Sequence, residues 1–272
     1  MGRVQDRVAL VTGASGGIGA ATVRALHREG ARVVAADVTT AAGEKLAAEL
    51  GCTICKLDVT REDDWKRAVA EIVAGHGSLD VLVNAAGIEG DMVHGTPEST
   101  SLAEWRRVMS VNLDGTFLGC REALPVMKRK GAGSIINISS TVAYIATPNS
   151  TAYGASKAGV MQLTKSVALH GSLEGHRVRC NSIHPGIIAT RMIESISAQL
   201  AQFNNVAVQD VERASMSRIP FGEAGHPEDV AELILFLASD ESLHHRIGVF
   251  DCRRLAPHGA AQACEQVVRR FR

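Results

Sequence analysis

The segment that most limits what this chain can fold into is Thr12-Gly13-Ala14-Ser15-Gly16-Gly17-Ile18-Gly19. It follows directly on a short apolar β-type run, Val8–Val11, and opens a helical pattern that continues to about Glu29. Glycines here permit a tight turn and the close approach of another backbone. The helix that starts there presents unpaired N–H groups and the positive end of its dipole, which together suit a pyrophosphate. A glycine cluster by itself is compatible with a plain turn. The strand–turn–helix order is what points to a nucleotide.

The same alternation runs on. Apolar runs at Ala31–Ala36, Thr53–Leu57, Val81–Asn84, Ser134–Ser140 and Arg177–Ile183 are separated by helical patterns. Strands apolar on both faces, joined through helices, predict a parallel sheet buried on both sides. The fold class is therefore α/β, a doubly wound parallel sheet with helices on both faces. No internal repeat or interdomain linker breaks the pattern, so residues 1–242 read as one domain. Gly90–Ser101 and roughly Thr190–Gly225 read as insertions beside the sheet, where doubly wound folds bind ligands.

Composition narrows the function. The 29 Lys and Arg balance the 29 Asp and Glu, and 46% of residues are hydrophobic. That excludes a disordered chain and argues against a nucleic-acid partner. No apolar run approaches the ~18–20 residues needed to span a bilayer. The start, Met1-Gly2-Arg3-Val4-Gln5-Asp6-Arg7, is charged and is expected to carry no signal peptide. The six cysteines then read as buried thiols in a cytoplasmic protein rather than a disulfide framework. Cys52-x-x-Cys55 has half the spacing of a zinc site, and the ten histidines show no ligand spacing, so no metal is expected.

Asp37 ends the second strand, 18 residues after Gly19. A carboxylate there accepts hydrogen bonds from an adenosine ribose and repels a 2′-phosphate. Ala36, Val38 and Gly16 bring no base to hold that phosphate, so the cofactor indicated is NAD. A lone Asp at a strand end also suits a turn or a helix cap. Tyr153 and Lys157 are four apart where a helical pattern begins, which puts them on one face. A phenol titrates near ~10, and a neighbouring ammonium lowers that value. Tyr153 is then able to exchange a proton with an alcohol or carbonyl oxygen. Ser140 ends a strand beside the same cleft, placed to hold that oxygen. A Tyr-x-x-x-Lys pair alone is more often a solvated helix face, and the nucleotide-binding turn upstream reverses that reading.

Six motifs stand in order over about residues 6–242: Thr12-Gly13-x-x-x-Gly17-x-Gly19, Asn84-Ala85-Ala86-Gly87, Asn112, Ser140, Tyr153-x-x-x-Lys157 and Pro185-Gly186-x-x-x-Thr190. In this combination the chain resembles the short-chain dehydrogenase/reductase family. The resemblance implies a single Rossmann-type domain and a Ser-Tyr-Lys site. It implies that Gly13, Ser15, Gly17, Ile18 and Gly19 meet the cofactor at the glycine turn. Asn84, Ala85, Ala86 and Gly87 would steady the central sheet and border the adenosine ribose, and Asp58 and Val59 would meet the adenine. Asn112 would complete a catalytic tetrad and hold a proton-relay water near Lys157. Pro185, Gly186, Ile188 and Thr190 would line the nicotinamide, with Thr190 on its carboxamide. Lys157 would bind the nicotinamide ribose and depress the pKa of Tyr153, which takes the alcohol proton as the hydride leaves. Family analogy also implies a homotetramer.

A small-molecule substrate is expected among Ile88–His94, Tyr144–Pro148 and Arg191–Arg218. Met192, Ile193, Ile196, Leu200 and Phe203 have the spacing of an apolar helix face, which suits either a packed helix or a mobile lid over a hydrophobic alcohol. The run Arg177–Gly186 is most similar to bacterial hydroxysteroid and secondary-alcohol dehydrogenases, which implies steroid-like or alicyclic alcohols. A 3-oxoacyl carrier-protein reductase is the alternative enzyme, and Asp37 argues against its usual NADPH. A non-catalytic NAD-binding sensor or scaffold is the other alternative, and the complete tetrad argues against it.

The likeness stops near Ser242. The family then has a Thr-Gly pair, a final strand and a Val-Asp-Gly-Gly turn, whereas this chain reads Leu243-His244-His245-Arg246-Ile247-Gly248-Val249-Phe250-Asp251-Cys252-Arg253-Arg254. Six arginines against two acids between Leu243 and Arg272 make the tail basic. Codons for His244–Ile247 and for Cys252–Leu255 can be written so that one base later they encode Ile-Thr-Gly and Val-Asp-Gly. Residues 243–272 therefore read as an atypical tail from a shifted frame. Such a tail is expected to under-cover the sheet edge and weaken subunit contacts, with only Val249-Phe250 suited to a short strand.

Overall fold

Alternate residues of a strand face opposite sides of its sheet, and the apolar runs of this chain supply both sides at once. In the computed structural model, which describes residues 2–217, 219, 221–245 and 247–252, they form a seven-stranded parallel sheet. The strands are β1 (Val8–Thr12), β2 (Arg32–Asp37), β3 (Thr53–Lys56), β4 (Val81–Asn84), β5 (Ala132–Ile138), β6 (Arg177–Pro185) and β7 (Ile247–Cys252). Their order in space is β3-β2-β1-β4-β5-β6-β7. Ala9, Val11, Val33, Ala35, Val81 and Val83 face one layer, made largely by α1 (Gly17–Arg28), α2 (Thr40–Leu50) and the later helix Pro227–Ala238. Val8, Leu10, Val34, Ala36 and Leu82 face the other, against α3 (Glu62–His76) and the helices Gly115–Lys130 and Thr151–Gly171. Trp65 of α3 is fully buried there, its indole N–H donating to the Val59 carbonyl at 3.0 Å.

The remaining elements complete the chain order: α4 (Leu102–Met109), α5 (Gly115–Lys130), α6 (Thr151–Gly171), α7 (Arg191–Asn204), α8 (Val208–Met216) and α9 (Pro227–Ala238). Strand β5 stops at Ile138, short of the expected Ser140. Ser139 still donates its N–H to the Ile183 carbonyl at 2.8 Å, and Ser140 then opens a 3₁₀ turn. Of the two insertions, Gly90–Ser101 is irregular, while the second carries α7 and α8.

The sheet runs past Ser242. Strand β7 pairs in parallel with β6 from Cys180↔Ile247 to Pro185↔Cys252. The expectation that β6 would be left under-covered is therefore not met. Ladder bonds are main-chain bonds, so side chains that depart from the family pattern do not prevent the pairing. The approach to β7 is anchored by buried Arg179, whose guanidinium donates to the Leu237 and Ser239 carbonyls and to Ser242 Oγ at 2.9–3.2 Å. The tail from Arg253 onward, with the second shifted-frame signature, lies outside the described residues.

Candidate active site

The strand order reverses between β1 and β4, and in doubly wound sheets the crevice at that switch point takes the ligand. The glycine turn after β1 meets the Asn84–Gly87 turn after β4 there. Gly13 has φ +65°, and a Cβ on it would lie 2.8 Å from the backbone of Ala86. A Cβ on Gly19 would lie 2.1 Å from the Gly13 carbonyl oxygen, and one on Gly17 2.6 Å from Thr190 Cγ2. The three glycines thus stand where backbones or loops close on one another. The N-cap of α1 is Gly16, which has no side chain to cap the first-turn amides. Those amides remain open to an anion.

A groove of ≈ 740 Å³ runs across this edge. Of the residues expected to meet the cofactor, Gly13, Gly17, Ile18, Gly19, Asp37, Asp58, Val59, Ala85, Ala86, Gly87 and Thr190 line it. Others do not. The Ser15 hydroxyl donates to the Thr39 carbonyl at 3.1 Å. The Asn84 amide is turned into the sheet and donates to Asn137 Oδ1 at 2.8 Å. Ile188 is packed in the core, and Pro185 is buried at the end of β6. Asp37 is held at the groove by two main-chain donors, Ser15 N–H on Oδ2 at 3.0 Å and Thr39 N–H on Oδ1 at 3.1 Å. Each oxygen keeps a lone pair for a hydroxyl. Asp58 is also a turn residue, its Oδ1 accepting from Thr60 N at 2.9 Å and Thr60 Oγ1 at 2.7 Å.

Tyr153 and Lys157 lie one turn apart on the first half of α6. The Lys157 ammonium is buried, donates to the Ile138 carbonyl at 2.9 Å and stands 5.6 Å from the Tyr153 ring centre. Burial lowers its pKa to about 8. Ser140 hydrogen-bonds the Tyr153 hydroxyl and pulls its pKa down, yet burial outweighs this and the phenol sits above its ordinary value, helped upward by the charge of Glu89. The expected depression of Tyr153 by Lys157 is therefore not what these residues produce by themselves. Desolvation of the phenolate prevails while the ammonium is directed to a carbonyl.

Asn112 sits in a single π-helical turn, Ser110–Asp114, between α4 and α5. Its amide grips one residue from both sides: Oδ1 accepts the Ile88 N–H and Nδ2 donates to the Ile88 carbonyl, each at 2.9 Å. Nδ2 also donates to Ser156 Oγ at 3.1 Å. A Cβ on Gly87 would lie 3.3 Å from Asn112 Oδ1 and 3.4 Å from Lys157 Nζ, so the chain passes both at close range. Asn112 thereby ties the β4 turn to α6.

The sequence puts His184 near the cleft and favours a structural or solvated role for it, and the structure supplies its partners. His184, fully buried on β6, places Nδ1 3.0 Å from the Ser140 carbonyl oxygen and Nε2 2.9 Å from Ser182 Oγ. A carbonyl only accepts, so Nδ1 carries the proton and Nε2 accepts from Ser182. Its ring lies 4.8 Å from that of Tyr144. The sequence signal is a histidine directly before Pro185-Gly186. The α7 face expected to be apolar is neither core nor free: Met192, Ile193, Ile196 and Leu200 are half-buried and Phe203 is exposed. The helix touches the Gly90–Ser101 loop through the Met92 N–H on Gln199 Oε1 at 3.2 Å and an edge contact of His94 with Phe203 at 6.4 Å. Among the described residues no group of three or more His, Cys, Asp or Glu could hold a metal, and no helix is long and apolar enough to cross a membrane.

Comparison with known proteins agrees with this geometry. A family model described as enoyl-(acyl carrier protein) reductase matches residues 13–244. A 3-beta-hydroxysteroid dehydrogenase of Comamonas testosteroni is 39% identical over 242 residues, which are 88% of this chain and 91% of that one. A trans-4-hydroxycyclohexanecarboxylate dehydrogenase of Sinomonas cyclohexanicum is 39% identical over 251 residues, 88% of each chain. The crystal structure of a levodione reductase superposes with a TM-score of 0.87 at 30% identity, covering 96% of this chain and 99% of that one. With the glycine turn, the switch-point groove and the Ser140–Tyr153–Lys157 cluster in place, the chain belongs to the short-chain dehydrogenase/reductase family.

Proposed function

We propose that this protein is an NAD-dependent oxidoreductase that interconverts a ring-bearing secondary alcohol and its ketone. The observation that carries the reading is the meeting of Ser140, Tyr153 and Lys157 between β5 and α6, where Lys157 Nζ comes close to Gly87 of the glycine-lined groove at the switch point. The open amides of α1, Asp37 and Thr190 are suited to hold a dinucleotide there. When bound, the nicotinamide supplies the hydride acceptor or donor. Ser140 orients the substrate oxygen. Tyr153 gives a proton to a ketone oxygen or takes one from an alcohol, and its raised pKa keeps it charged with the proton for the first task. Burial lowers the pKa of Lys157 to about 8, which leaves it mostly ammonium at pH 7 and so able to favour phenolate when the proton has to leave. Asn112 and His184 hold these groups in register through Ile88, Ser156 and the Ser140 carbonyl.

Asp37 supports NAD over NADP, since a 2′-phosphate would meet its carboxylate. The exposed Tyr144, Ile145 and Phe203 support a hydrophobic substrate, and two of the relatives act, by name, on a steroid hydroxyl and on a hydroxycyclohexane. Family analogy supports a homotetramer, and the free Cys52, Cys55, Cys120 and Cys180 support a cytoplasmic location. The test is purified protein with NAD⁺ or NADP⁺ and a panel of cyclic secondary alcohols, steroids included. NADH formation with at least one ring alcohol is the expected result, and NADH binding without turnover of any alcohol would return the sensor reading.

A further inference from the structure

We infer that Glu89 makes this site select against anionic alcohols, so that the substrate is a neutral or cationic ring alcohol. The inference rests on the proposed reaction and names the charge class of its substrate.

Glu89 follows directly on Ile88, the residue that Asn112 grips by both N–H and carbonyl, so its backbone is fixed by the same amide that orders the site. Its side chain is half-buried and lines two spaces at once. One is the dinucleotide groove, beside Ile88 and Met192. The other is a small cavity shared with Tyr153. Glu89 therefore borders both the groove that reaches Arg191 and Met192 at the start of α7 and the space beside Tyr153.

No hydrogen bond or ion pair to a described residue neutralises it. Arg107 of α4, which lines the same groove, is occupied in a bidentate pair with Glu104, at 2.7 and 2.8 Å. Glu104 also accepts the Asp91 N–H at 2.8 Å, and Asp91 itself holds His94 at 3.0 Å. Glu89, Asp91 and Glu104 thus gather around Arg107 on this wall, and the other cation lining the groove, Arg191, is exposed at the start of α7. A substrate carboxylate brought beside Tyr153 meets like charge in a cleft that screens it poorly. A neutral ring does not, and an ammonium gains from it.

The test compares cyclohexanol with trans-4-hydroxycyclohexanecarboxylate, which differ by the carboxylate, in the wild type, Glu89→Gln and Glu89→Asp. The wild type should favour the neutral alcohol in kcat/KM by at least tenfold. Glu89→Gln should narrow that ratio by at least tenfold, about 1.4 kcal/mol, and Glu89→Asp should largely retain it. In parallel, cyclohexylamine and cyclohexanecarboxylate are titrated calorimetrically into the NADH-loaded proteins. The ammonium should bind the wild type at least tenfold more tightly than Glu89→Gln, and the carboxylate the reverse. A ratio that Glu89→Gln leaves unchanged, or a wild type that prefers the carboxylate, overturns the inference. If none of the proteins oxidises either alcohol, the proposed reaction fails, and the two titrations alone decide the role of Glu89.

Discussion

Replacing Lys157 by Met should make the protein more stable at neutral pH while abolishing turnover. The ammonium is only 5% exposed, and burial takes its pKa from the ordinary ~10.4 to about 8. At about 1.4 kcal/mol for each tenfold in proton affinity, holding it charged costs the folded state on the order of 3 kcal/mol. The sign follows from proton counting. The folded pKa lies below the unfolded one, so between pH 8 and ~10.4 the unfolded chain binds more protons and stability rises with pH. Below about pH 8 the full penalty applies. Lys157→Met removes it but forfeits the bond to the Ile138 carbonyl, a loss of about 1–2 kcal/mol. The net is a gain of roughly 1–2 kcal/mol at pH 7 that shrinks above pH 8 and turns into a loss between about pH 9 and 10. Urea denaturation followed by circular dichroism at pH 7, 8, 9 and 10 measures the difference. A variant-minus-wild-type difference that stays flat over that range, or grows with pH, refutes the reasoning.

Asp37→Ala should lower the NAD/NADP ratio of kcat/KM by at least an order of magnitude, about 1.4 kcal/mol, and an unchanged ratio would place selectivity elsewhere. Gly19→Ala puts a methyl 2.1 Å from the Gly13 carbonyl oxygen. It should cost about 1–3 kcal/mol, a fall of several degrees in Tm, and weaken NADH binding by tenfold or more in a fluorescence titration.

How much of this was legible depended on whether the signal was local. The glycine turn, the buried strands and the Tyr153–Lys157 spacing are properties of neighbouring residues, and they placed the groove and half of the cluster. Asn112 was found by motif, but its grip on Ile88 requires a π turn that no spacing announces. Arg107 is taken by Glu104 three residues before it on α4, a pair that helical spacing allows, whereas the place of Glu89 in the same groove is a tertiary outcome. His184 and Arg179 likewise acquire their roles from carbonyls brought to them by other elements. The rise in the Tyr153 pKa is a burial effect, and a helix-face argument sees the nearby ammonium but not the lost water. The terminal strand formed because a ladder reads backbone rather than side chains.

The central claim is that Tyr153 moves the proton that accompanies hydride transfer between a ring alcohol and a nicotinamide. Its most direct test is NADH and ketone formation from NAD⁺ and a 3-hydroxysteroid or cyclohexanol by the wild type and Tyr153→Phe, with NADH affinity measured on both. The account predicts equal NADH and ketone from the wild type, a loss of at least 10²–10⁴-fold in kcat for the variant, and retained NADH binding. A Tyr153→Phe protein that keeps more than about a tenth of wild-type kcat, well above the loss expected for a removed general acid–base, would contradict it.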